Sequence, residues 1–515
     1  FKLALSGDVG IGNNIVIDSS EKETSNKEQK TPPPSPWLQC LANLLLAKQQ
    51  HHNRNTTSSS SSSLKAENFY SPYITSLPES FETIHSWTTD QIETTLGGTA
   101  LGRAVLADRQ AKTTRGMYNT RIRPFLNDAF DDSSQVTWDD FLWASQCIST
   151  RGFHVQNDAN DTRNTTADRD SGDGTAPVAK DNDTRTTRND YNGPFLLPAI
   201  DLLNHSTPQK CTTLRRSVDD SDGSFFVMTA ERRLSRGDEV MHSYGDSLNA
   251  SQLLRTFGFV PWDVCLSVAN GWRDDECGTA GGCTAKRTVV CTPAVISRNE
   301  IVEGCREVAF EKKKNGIELG CPDVDETSWD ASQCWEAKTD FLCKSQLVSE
   351  DLLISHPIND DVLHEIVTCC TIMLLPNKEA LDELFEDGVS LLDESVVLQD
   401  FYLGHLICRS LLSVVQKCMA HYDTTATASS LVEDRKELAV LLSNYSGGVT
   451  EKRQIEGLTI KIEEKHCLEM LRRKVLVWLK QLIDDGEEDC SDGEDQFKRG
   501  LVSDEGCGSK RIKLF

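Results

Sequence analysis

A chain of 515 residues carrying 54 Lys and Arg against 79 Asp and Glu has a formal charge of -25. That length allows two or three domains with a sizeable core, and the acidity argues against gripping bare nucleic acid, which needs a cationic face. No run approaches the ~18 apolar residues of a membrane span, so a soluble chain without membrane attachment is expected. The negative charge suits a basic, lysine-containing protein partner, although it also serves simply to keep a chain in solution.

The 18 cysteines fall at irregular intervals. Cys277, Cys283, Cys291 and Cys305 are the closest cluster and lack the paired C-x-x-C spacing of a zinc site, so no metal is expected. Many unpatterned cysteines suggest a reducing, intracellular compartment, with cytoplasm, nucleus and plastid all open. The first residue is phenylalanine, so the chain is expected to be a fragment whose own N-terminus is missing.

In chain order, Gly10-Ile-Gly12 is the only glycine pair near the start, and residues 19–36 form a polar stretch ending in Thr31-Pro-Pro-Pro-Ser-Pro36. Trp37 opens an amphipathic helix with Leu38, Leu41, Leu44 and Leu45 on one side, and Pro36 suits its entry. His51 to Ser63 ends in six serines and reads as a disordered loop. Phe69 to Pro78 resumes order, and Trp87 to Leu106 reads as short helices. A further helix is expected from Val136 to Ile148, capped by Thr137 with Asp140 three residues on. It leads into Ser149-Thr-Arg-Gly-Phe153. Residues 156–192, rich in Asp, Asn, Thr and Arg, cannot bury a core and read as a disordered insert.

Two stretches carry the chemistry. Leu197-Pro-Ala-Ile-Asp-Leu-Leu-Asn-His-Ser206 is an apolar, strand-like run that stops at Asn204 and His205, and strand ends are common places for ligand sites. Gly237-Asp-Glu-Val-Met-His-Ser-Tyr-Gly245 delivers a second short run, Glu239 to Ser243, and an aromatic hydroxyl at Tyr244. Phe225 to Ala230 reads as a strand between them. Beyond Val260, residues 262–300 look like irregular strand and loop, whereas 345–420 and 430–482 look largely helical, a bundle that buries repeated apolar pairs. Cys369-Cys370 reads as core. Ser430 looks like a helix cap, Leu458 to Leu482 like a long amphipathic helix, and Asp484 onward like an acidic tail.

The Asn204-His205-Ser206 and Gly237…Tyr244-Gly245 pair resembles the N-H-S and G-E-x-x-x-x-Y-G signatures of SET-domain protein methyltransferases. Asn249 to Leu254 and Phe257-Gly-Phe-Val260 resemble the continuation found in the Rubisco large-subunit methyltransferase-like branch. Trp143-Ala144 with Arg151 and Phe153 resembles that branch's W-A…S-R-x-F segment, and Ile462 to Leu468 resembles part of its substrate-binding domain. The resemblance covers about 37–480.

The resemblance implies an α+β protein: a β-rich SET fold of small sheets with a knot-like C-terminal segment and a helical insert, then an all-α domain. The corresponding boundaries are 1–36 for remnant strands and linker, 37–135 for the insert (51–64 disordered) and 136–260 for the catalytic core. A substrate-binding domain follows at 261–483, then a disordered tail at 484–515. The resemblance further implies S-adenosyl-L-methionine as cofactor, held by Asn204, His205, Arg151 and Tyr244, with Tyr244 catalytic. Arg151, Asp201, Phe257 and Phe259 are then the substrate-binding positions. Asp201 has a second reading as a general base, and Phe257 stands where many relatives have tyrosine. Lysine is the expected acceptor, with histidine an alternative, and the chain is expected to act as a monomer. The rival class is a catalytically inactive protein-binding scaffold, against which the intact Asn204, His205 and Tyr244 argue.

Overall fold

The computed structural model describes residues 2–3, 35–56, 71–129, 136–155, 192–219, 223–271, 290–314, 331–375, 391–422 and 430–488. The Gly10-Ile-Gly12 pair, the serine run, most of the 156–192 insert and the last part of the acidic tail lie outside them. The chain divides into two compact units. One comprises Phe1–Thr88, Val105–Pro261 and Gly281–Val290, and the other Thr89–Ala104, Trp262–Ala280 and Cys291–Phe515.

In the first unit, helix Trp138–Arg151 starts where its side chains dictate. The Thr137 hydroxyl accepts from the Asp140 amide while the Asp140 carboxylate accepts from Thr137, satisfying amide groups that a helix start leaves without partners. Its apolar stripe of Phe141, Ala144, Cys147 and Ile148 packs on Leu41, Leu44 and Leu45 of helix Pro36–Thr56 and on Tyr73 and Ile74 of helix Ser71–Ser76. Strands β1 (Lys2–Leu3), β2 (Gly152–Val155), β3 (Asn192–Leu196), β4 (Asn204–His205), β5 (Thr212–Asp219), β6 (Gly223–Ala230) and β7 (Met241–His242) form three small sheets. β6 lies antiparallel between β1 and β5, β2 pairs antiparallel with β3, and β4 pairs parallel with β7. Leu197 and Phe226 make a second small core with Phe195, whose ring centroid is 4.9 Å from that of Phe226.

One expectation here is corrected. The run from Leu197 to Leu203 is not a strand: extension ends at Leu196, and Pro198-Ala199 turns the chain into a short 3-10 turn, Ile200–Leu202. Proline fixes the first corner of that turn, and Ala199 takes the second with φ 71, a left-handed conformation uncommon for alanine.

The second unit is mostly helical. Helices Arg298–Lys314, Asp360–Leu374, Phe401–Ala420 and Val449–Glu488 share one core that includes Ile301, Ile366, Cys369, Cys370, Leu411 and Leu471. Strands β8 (Ala294–Ser297) and β9 (Asp351–Ile354) pair antiparallel beside them, so a strand interrupts the expected helical stretch. Residues 262–269, expected as strand and loop, are a helix whose Val264, Cys265 and Val268 are buried at helical spacing.

Helix Val449–Glu488 is not amphipathic at its centre. Glu456, Glu463, Glu464, Lys465 and His466 are all buried there. The carboxylates and the ammonium are accommodated because partners reach them. Lys465 Nζ sits 2.8 Å from Asp434, Glu463 accepts from the Thr292 amide at 3.0 Å, and Glu464 accepts from the Ala100 amide at 3.0 Å and the Tyr422 hydroxyl at 2.8 Å.

Candidate active site

The turn at Pro198-Ala199 presents Asp201, and the end of helix Trp138–Arg151 presents its partner. Arg151 Nη1 donates to both the Asp201 carbonyl and Oδ2, each at 3.3 Å. The Asp201 side chain is wholly buried, and Tyr73 donates its hydroxyl to the same Oδ2 at 2.8 Å. Asp201 Oδ1 is buried and has no hydrogen-bond partner among the described residues. Burial raises the proton affinity of this carboxyl, and Tyr73 and Arg151 oppose the rise. The Tyr73 hydroxyl is pushed far above the ordinary tyrosine value, first by burial and then by the Asp201 charge, so it stays protonated as a donor.

The parallel pairing of β4 with β7 sets Asn204 opposite Met241 and His205 opposite His242, and so carries Tyr244 alongside His205. The Tyr244 amide donates to His205 Nδ1 at 3.0 Å. A neutral imidazole that accepts at Nδ1 carries its proton on Nε2, which lies 3.4 Å from the Thr207 hydroxyl. The Tyr244 hydroxyl donates to the Leu203 carbonyl at 2.8 Å, and burial raises its proton affinity, so at neutral pH it is a hydroxyl and not a phenolate. Around it stand Phe257 and Phe259, with ring centroids 4.7 and 6.3 Å from that of Tyr244, and the His205 ring at 5.0 Å.

Phe257 and Phe259 are placed by the capping at either end of helix Ala250–Phe257. Asn249 and Gln252 form a capping box at its start, and Gly258 ends it with φ 82. A Cβ at Gly258 would lie 2.5 Å from the Glu82 carbonyl oxygen, so both the conformation and the space require glycine.

The residues singled out from the sequence therefore gather into two neighbouring groups, Arg151 with Asp201 and His205 with Tyr244, Phe257 and Phe259. Asn204 stands apart from both: it is exposed, with its amide donating to Glu239 Oε1 at 2.6 Å. Tyr73 is not among the residues singled out, although its Pro72-Tyr73…Leu77-Pro78 setting belongs to the region of resemblance. A tyrosine among apolar neighbours reads as core until the fold shows what its hydroxyl meets. A cavity of about 720 Å³ elsewhere in the unit, lined by Lys48, His51, Glu79, Asp140 and Trp143, includes none of these residues. Among the described residues no group of three or more His, Cys, Asp or Glu is placed to hold a metal ion.

The fold and the site define a chain of mixed helix and strand with small sheets and a helical C-terminal region, carrying a tyrosine hydroxyl and a histidine near a buried aspartate paired with a half-buried arginine. Among the solved structures similar to it are two at 15% identity, each match covering 92% of this chain and 81% of the other. One is the SET domain of LSMT bound to lysine and AdoHcy, with a TM-score of 0.48. The other is Rubisco LSMT bound to sinefungin and monomethyllysine, with a TM-score of 0.47. No family model matches the chain, and none of the curated proteins does.

Proposed function

We propose that this chain is an S-adenosyl-L-methionine-dependent protein methyltransferase of the SET class that modifies a side-chain nitrogen, with lysine as the acceptor. The observation that carries the reading is the junction of β4 and β7. Two signature stretches far apart in sequence meet there, and the Tyr244 amide and hydroxyl close onto His205 and Leu203. The cofactor supplies an electrophilic methyl group on a sulfonium. The residues present fit it: His205, Tyr244 and Phe259 gather into one aromatic cluster against which an adenine would pack, while Asn204, exposed and bonded to Glu239, lies outside that cluster.

The chain's own work is positioning. Displacement at a methyl carbon needs a neutral amine with its lone pair in line, about 3 Å from the carbon, more than it needs an acid or base. The Tyr244 oxygen, whose hydrogen is given to Leu203, and the remaining lone pairs of the Asp201 and Leu203 carbonyls are dipoles that could orient such an amine. Phe257 and Phe259 supply apolar walls that strip water from an aliphatic side chain.

Calorimetric titration of S-adenosyl-L-methionine into the full chain and into Tyr244→Phe, followed by a labelled-methyl screen on cell extract, tests the reading. Binding by both, with transfer lost by a factor of about 10² or more in the variant, is expected, since one oriented donor in such a site is typically worth that much. Hydrolysis of the labelled product separates methyl-lysine from methyl-histidine. Binding by neither overturns the methyltransferase reading, and transfer undiminished in the variant overturns the assignment of Tyr244.

A further inference from the structure

We infer that Tyr73 is a positioning residue for the acceptor site, acting through Asp201: its hydroxyl holds the Asp201 carboxylate charged and turned onto Arg151. The inference rests on the methyltransferase reading above. Its geometric basis is a three-membered chain in which one oxygen, Asp201 Oδ2, receives both the Tyr73 hydroxyl at 2.8 Å and Arg151 Nη1 at 3.3 Å. The second carboxylate oxygen is buried without a partner among the described residues, so the Tyr73 hydroxyl and the arginine carry most of the solvation of this group.

The consequence is one of charge. With Asp201 ionised, the Arg151–Asp201 pair is neutral, and an acceptor that arrives as an ammonium meets no net positive charge. With Asp201 protonated, the Arg151 guanidinium stands alone beside the acceptor and repels it. Burial favours the protonated form, and the hydrogen bond from Tyr73 opposes it together with the charge and the hydrogen bond of Arg151. The titratable groups that face Asp201 are Tyr73 from helix Ser71–Ser76, Arg151 from the end of helix Trp138–Arg151, and Tyr244 after β7, which feels both charges. Cys147, on the same helix as Arg151, is pushed up to about 12 by burial and remains a neutral thiol. Asp201 is thus the member of the cluster whose charge responds to pH on the acid side. The Arg151 contact to the Asp201 carbonyl adds a second effect. Holding the carboxylate on Arg151 also holds the backbone of the strained Ala199–Asp201 turn.

The test is a cycle of the full chain, Tyr73→Phe, Asp201→Asn and the double variant, read in two ways. In urea unfolding, the deficit of Tyr73→Phe relative to wild type is expected to widen from pH 5 to pH 8. The ionised carboxylate is the form that loses its donor, and in the Asp201→Asn background the same change should be small and constant with pH. In methyl transfer to poly-L-lysine and to extract protein, Tyr73→Phe should lower kcat/KM roughly tenfold at neutral pH, the worth of one hydrogen bond to a charged group. It should also move the acid limb of the profile to higher pH and leave S-adenosyl-L-methionine affinity unchanged. A tyrosine that merely filled space would leave the acid limb where it was. A deficit that is equal in both backgrounds and flat with pH overturns the action through Asp201, whatever the activity. Wild type that binds no S-adenosyl-L-methionine and transfers to neither acceptor overturns the methyltransferase reading, and the role in acceptor binding with it. The unfolding cycle then still decides the Tyr73–Asp201 coupling.

Discussion

Glu464 offers a prediction whose size can be worked from the structure. Its side chain is buried in the helical unit, and burial pushes its carboxyl up to about 7 from the ordinary glutamate value of 4.5. The opposing influences are, in order, the Ala100 amide, the Tyr422 hydroxyl and the Arg103 charge, while Glu463 adds a repulsive charge. A carboxyl whose proton affinity is raised by folding contributes stability below the unfolded value and loses it as pH rises through the folded one, because the native state then holds the extra proton. A tenfold change in proton affinity is worth about 1.4 kcal/mol, so relative to acid pH the raised value costs about 3 kcal/mol at pH 8, where the native group is ionised, and about 1 kcal/mol at pH 5, where it is still protonated but the unfolded chain has lost its proton.

Glu464→Gln keeps the shape and an acceptor for the Ala100 amide and removes the titration. Relative to wild type, the variant should therefore gain about 2 kcal/mol of stability between pH 5 and pH 8. Urea unfolding of the full chain at half-unit steps of pH, followed by the signal of Trp478 in the same core, measures the difference directly. Groups elsewhere that also titrate, such as His85 and His242, act equally on both chains and cancel. A difference that stays constant with pH, or one that turns against the variant as pH rises, refutes the argument. Either result means that Glu464 remains ionised and that its two donors and the Arg103 charge outweigh its burial.

Lys465 and Asp434 are each 1% exposed and 2.8 Å apart, so Lys465→Met should take from the buried carboxylate its nearest cation, leaving Lys461 at 3.7 Å as partial compensation, and cost about 3 kcal/mol in unfolding free energy. Gly258→Ala should lower the unfolding midpoint of the first unit by more than the usual glycine-to-alanine effect, with a loss of about 1–3 kcal/mol from the forced conformation and the Glu82 clash. It should weaken transfer as well, since Gly258 separates Phe257 from Phe259. Thr137→Ala removes half of a capping box and should cost about 1 kcal/mol, measurable as a shift in denaturation midpoint with activity retained.

What the order of residues determines by itself is local. The Thr137–Asp140 and Ser430–Glu433 boxes are legible because a cap is a contact between near neighbours in the chain. The helix from Pro36 is legible because its leucines recur at helical spacing, and the candidate site is legible as two polar endings of apolar runs, at Asn204-His205 and at Tyr244. What only the tertiary structure decides is where pairing is long-range. No spacing rule announces that Tyr73 meets Asp201 across 128 positions, or that Glu464 meets the Ala100 amide across 364. The same reason explains the misreadings. Val264, Cys265 and Val268 on a single turn fit a helix or an irregular strand equally well until neighbours bury one face. Leu197 to Leu203 looks extended because apolar composition does not reveal that Pro198 turns the chain. The charged centre of helix Val449–Glu488 looks solvent-facing because Glu and Lys ordinarily are. Burial reverses that reading only when Asp434, Thr292, Ala100 and Tyr422 are brought to those side chains, and the folded chain alone brings them there.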